Sequence, residues 1–169
     1  MQPSWTSDAS LPPEVASALI AQSASLLQRI VVIERALATR EWWLLGRVAP
    51  EAGLVAEIAS LLAVARGELE QALEEQFDWR MPPTDGETPT DEDDPAALAR
   101  HPAWVSARQE EASGLLRMLG KALPAMQSFA EQLRANAEEA YMPAAALGAL
   151  GIVQDRLGEA IETLREKAS

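Results

Sequence analysis

Apolar residues recur through the first quarter of the chain at Leu19, Leu26, Ile30, Ile33, Leu37 and Leu44, spaced 7, 4, 3, 4 and 7 apart. That 3.5-residue rhythm is the seam of a helix packed nearly parallel or antiparallel to its neighbours. Pro12 and Pro13 sit where their missing N–H groups cost nothing, behind Ser10 or Leu11 as cap, so a first helix is predicted to about Leu45, with Gly46 as its stop. Pro50 opens a second helix, to about Phe77, whose stripe is Leu54, Ile58, Leu61, Ala65, Leu69, Leu73 and Phe77. Only about four residues then separate the two, which must fold back as an antiparallel hairpin.

The second half repeats this plan. Asp94-Pro95 reads as a capped turn, His101-Pro102 interrupts it, and a third helix runs from about Ala103 to Ala140. Its stripe is Trp104, Leu115, Leu119, Ala122, Met126, Phe129, Leu133 and Ala140, with Pro124 inside it predicting a kink near Gly120. Pro143 opens a fourth helix carrying Leu147, Leu150, Leu157, Ile161 and Leu164. Ala144, Gly148 and Gly151 leave one side of it bare, which predicts close approach of a neighbouring backbone. The expected fold is all-α, an antiparallel four-helix bundle of two helical hairpins (11–77 and 95–169) in one domain. An acidic, Pro-rich linker (78–94) joins them and does not fix the direction of the third helix. The first and third helices, about 34 and 38 residues by this reading, should overhang their partners by about 10–20 Å.

Charge changes the picture in one place. Residues 68–94 hold eleven acids against one base, Arg80, and so ten of the chain's twelve net negative charges. The rest is nearly neutral. Such a surface gains no counterion release on nucleic acid or anionic lipid, so neither is expected as a partner. The apolar fraction of 48% is mostly Ala and Leu, which favours helix, and the absence of cysteine excludes disulfides and thiolate chemistry. The first ten residues have no apolar signal core, and the apolar run from Val15 to Ile33 is broken by Gln22, Gln28 and Arg29. The expectation is a soluble, cytoplasmic protein.

The chemistry-bearing residues are sparse. A di-metal bundle site needs Glu-x-x-His pairs, but the single histidine, His101, has Leu98 three residues before it. Glu75-x-x-Asp78 and Glu159-x-x-Glu162 are the remaining carboxylate pairs, and both read as solvated faces. Asp91, Glu92, Asp93 and Asp94 lack the alternating ligands and sixth-position glycine of an EF-hand loop. No Gly-rich phosphate loop precedes a helix. No catalytic, cofactor-binding or metal-binding residue is therefore assigned, and no enzyme is expected.

Five tryptophans in a chain with few other aromatics are the other candidates. On an unbroken first helix, at about 100° per residue, Trp42 points away from the seam set by Leu37 and Leu44. With Ala38, Leu45 and Ala49 it would form an outer apolar strip, either covered by another segment or open to a partner or a second copy. Trp79 is placed to pin the start of the linker onto the bundle, and Trp104 to join the core at the overhanging start of the third helix. The candidate interaction residues are thus Trp42, Leu45, Trp79, Asp91, Glu92, Asp93, Asp94 and Trp104. The functional expectation is a non-enzymatic protein–protein interaction module, adaptor or chaperone-like, with a protein partner of basic character or a homodimer. The alternatives are a metal-dependent helical hydrolase or sensor using clustered carboxylates, and an immunity or antitoxin-type binder of a basic toxin.

Overall fold

The computed structural model describes residues 12–37, 42–47, 49–82 and 100–168, apart from the side chains at 43, 44, 167 and 168. These form four long helices and one short one: α1 (Pro13–Leu37), α2 (Trp42–Leu45), α3 (Pro50–Phe77), α4 (Pro102–Glu139) and α5 (Ala144–Ala168). No strand occurs among the described residues. The all-α four-helix bundle expected from the stripes is the fold.

The local rules act where proline and glycine supply them. The Pro12 carbonyl accepts from the Ala16 N–H at the start of α1 (3.0 Å), and Pro50 and Pro102 stand in the first turns of α3 and α4. Pro124 lies inside α4 without dividing it. Between α4 and α5 the chain reverses through Tyr141 at φ 58°. There the Tyr141 N–H donates to Glu138 O and the Met142 N–H to Ala137 O, the paired bonds of a Schellman end. α3 also ends on a left-handed residue, Asp78, at φ 53°.

The direction of each helix follows from residues that meet across the bundle. Arg66 on α3 bonds to Glu34 on α1, and Gly46 just after α2 lies against Gly53 on α3, so the α1–α2 arm runs antiparallel to α3. Leu54 lies beside Leu164, whereas Glu68 acts on Arg156, so α3 and α5 are antiparallel. Gln127 faces Gly158 and Arg134 faces Gly151, so α4 and α5 are antiparallel as well. α3 and α4 therefore run the same way, so the end of α3 and the start of α4 lie at opposite ends of the bundle. α3 is the central element: it touches α1, α2, α4 and α5, most extensively α5.

The core contains the predicted seam residues Leu19, Leu26, Ile30, Ile33 and Leu37 of α1, all buried. α3 is buried on a wider arc than its predicted stripe. Val55 and Leu62 are fully enclosed while Leu61 and Phe77 are half-buried, because α3 has neighbours on several sides. The one buried polar side chain among the described residues, Ser23, donates to Leu19 O at 2.8 Å. Polar pins fix the register between helices: Arg134 to Gln154 at 3.1 Å, and the Arg29 guanidinium over the Phe129 ring at 4.9 Å.

Three expectations are corrected. Where one helix to about Leu45 was expected, two elements are described, the 25-residue α1 and the four-residue α2, and residues 38–41 between them lie outside the described residues. α4 is thirteen residues longer than α5, about 20 Å, as the spacing implied. The glycines of α5 do not admit a backbone. A Cβ on Gly148 would meet nothing within 4 Å, while one on Gly151 would meet Arg134 Nη1 at 2.8 Å and one on Gly158 Gln127 Nε2 at 2.9 Å, so that side is open at Gly148 and filled by long polar side chains at the other two. The close backbone approach lies elsewhere, where a Cβ on Gly46 would sit 2.8 Å from Gly53 Cα. Finally, α1 is long and apolar enough to cross a membrane by length and composition, despite Gln22, Gln28 and Arg29; its apolar stripe faces the bundle core.

Candidate functional site

Trp42 is not on the outer face. It is 2% exposed and Leu45 1%, both within the core cluster together with Ala49. α2 is a separate element from α1, and the Trp42 indole N–H donates to the Leu37 carbonyl at the last described residue of α1. Neither Trp42 nor Leu45 reaches a partner while the bundle is closed. Ala38 lies outside the described residues. Trp79 is half-buried and packs against the core beyond the end of α3. Trp104 is half-buried, touches the core and has the Arg108 guanidinium 5.9 Å from its ring. Asp91, Glu92, Asp93 and Asp94 lie outside the described residues. His101 is exposed at the N-cap position of α4.

Two surfaces carry concentrated chemistry. One is the C-terminal end of α3, where Glu70, Glu74, Glu75 and Asp78 surround a shallow depression with Gly67, Gln71 and Arg80. Glu70 is held by Arg66 at 2.9 Å, and Glu74 faces Arg80 at 3.3 Å across solvent. Glu75 accepts from Gln71 at 3.0 Å, and Asp78 is exposed. Burial lowers the Arg66 pKa, but the hydrogen bonds and charges of Glu34 and Glu70 outweigh it and hold the guanidinium above its ordinary value. The last turn of α3 contains no base. Carboxylates there oppose the helix macrodipole, and the like-charged pair Glu70/Glu74 stands four residues apart, costing about 0.2–0.5 kcal/mol in an isolated helix.

The other surface is an apolar hollow of about 540 Å³ at the opposite end, where the start of α3 meets α4 and the end of α5. Pro50, Leu54, Leu116 and Leu164 line it, with Glu51, Arg117, Gly120 and Arg165 completing it. The composition of this hollow was not anticipated, because its three helices are far apart in the chain.

Among the described residues no three His, Asp or Glu side chains converge as a metal site would require. On α5, Glu159 is paired with Arg156 at 2.6 Å. That hydrogen bond, then the charges of Glu159, Asp155 and Glu68, hold Arg156 above its ordinary pKa. Comparison of the chain with family models, with curated proteins and with solved structures yields no match.

Proposed function

We propose that the chain is a non-enzymatic helical-bundle interaction module whose acidic end engages a basic protein partner. The observation that carries this reading is the gathering of Glu70, Glu74 and Glu75 on the last turns of α3 and Asp78 at its C-cap, where negative charge opposes the helix macrodipole. The sequence continues the same charge through Asp85, Glu87 and Asp91 to Asp94. A field of one sign at one end of the molecule steers an oppositely charged partner and raises its association rate. The bundle behind it, pinned by Arg66–Glu34 and Arg134–Gln154, supplies a rigid base for that surface.

The test is kinetic. Basic proteins retained by the immobilised chain are assayed against wild type and against a variant with Glu74→Gln, Glu75→Gln and Asp91 to Asp94 replaced by Ser or Asn. The reading expects association to slow by about tenfold at low salt and its salt dependence to flatten. An unchanged rate with an unchanged salt dependence would leave the acidic stretch as a tether and sink the reading.

A further inference from the structure

We infer that the hollow at the other end of the bundle is a binding site for a small single-chain amphiphile with an anionic carboxylate head. The inference is independent of the acidic face, which lies at the far end of α3.

Size selects the kind of ligand. Pro50–Leu54 and Leu116–Gly120 each span about one helical turn, roughly 6 Å. A partner helix docking through anchors at i, i+4 and i+7 needs a groove of about 10 Å or more, so this opening is too short for it. At about 540 Å³ it falls in the range of small-molecule sites, as other depressions on the described surface do, and its aliphatic lining is what sets it apart. The aliphatic lining from Pro50, Leu54, Leu116 and Leu164 suits a hydrocarbon body, and no aromatic side chain among the described lining residues offers a stacking surface.

Charge selects the head group. Arg66, Arg80, Arg108, Arg134 and Arg156 each have a carboxylate partner within 4 Å. Among the described residues, Arg117 and Arg165, both on this hollow, have no carboxylate partner within 4 Å. In a chain with 26 acids and 14 Lys and Arg, two guanidiniums beside one apolar opening are a local excess of positive charge. They outnumber Glu51, the one acid among the lining residues. Guanidinium forks match a carboxylate through paired N–H donors.

Gly120 makes the site testable. A Cβ there meets nothing within 4 Å, so a larger side chain at 120 enters open space and raises helix propensity. The experiment titrates the full chain with sodium octanoate, 1-octanol and octylammonium by calorimetry, with circular dichroism to verify helicity. Octanoate should bind at one site, about tenfold more tightly than 1-octanol, with octylammonium weakest. Arg117→Gln with Arg165→Gln should reduce octanoate to the affinity of 1-octanol and leave 1-octanol unchanged. Gly120→Leu should abolish both while the helical signal is retained. Equal affinity for octanoate and octylammonium, no saturable octanoate binding, or octanoate binding indifferent to Gly120→Leu would each overturn the assignment. So would binding to anionic phospholipid vesicles without binding to octanoate, which would make the surface a membrane contact.

Discussion

At Gly46 the absence of a side chain is a packing requirement. Its Cα lies so near Gly53 of α3 that an added Cβ would come within 2.8 Å of backbone, and backbone cannot step aside as a flexible side chain can. Gly46→Ala is therefore expected to destabilise the bundle by about 1–3 kcal/mol, read as a lower denaturant midpoint at unchanged slope. Gly67 is the control. It is exposed in mid-helix with nothing within 4 Å of a Cβ, so Gly67→Ala should stabilise by about 0.5–1 kcal/mol through helix propensity alone. Both are glycines in or beside a helix, and only the partner across the interface gives their substitutions opposite signs. This is why the sequence placed the close approach on α5, at Gly148 and Gly151, and missed it at Gly46 and Gly53. Trp42 failed for a related reason. Its outward direction depended on one unbroken helix from Leu37 to Leu44, whereas Trp42 opens a separate element and its ring lies in the core.

Element boundaries were legible wherever a proline or a glycine marks them. Pro50 to Phe77 agrees residue for residue with α3, and the third helix was placed within one residue at either end. The end of α1 was not legible, because Ala38-Thr39-Arg40-Glu41 contains neither glycine nor proline and the apolar spacing continues through Leu44. The turn after α4 was similarly disguised. Its left-handed position holds Tyr141, a residue that pays in strain where glycine would not, and which is 74% exposed. Tyr141→Gly should raise stability by up to about 1 kcal/mol, since the Schellman bonds persist and little packing is lost. A fall in thermal midpoint on that substitution would mean that the ring makes contacts its exposure does not suggest.

At the scale of the whole molecule, the two predicted hairpins are not separate units, because the most extensive helix interface joins α3 of the first to α5 of the second. Pieces 1–82 and 83–169 produced together should assemble into one helical complex that melts in a single transition, and neither alone should do so. Independent folding of each would contradict that interface. The order of helices was legible from the stripes, but the shared direction of α3 and α4 was not, because a long linker permits either. That direction, with the antiparallel pairing of α3 and α5, brings Pro50, Leu116 and Leu164 to one end and leaves the carboxylates of α3 at the other. The central claim is that this acidic end is where a basic partner is met. Its most direct test is a residue-resolved amide titration of the full chain with a lysine-rich helical peptide, in which Gly67 and Gly120 report on opposite ends. The account predicts saturable shifts at Gly67 and through Glu70–Arg80, with Gly120 unmoved. Shifts of equal size at both glycines, or none at either, would contradict it.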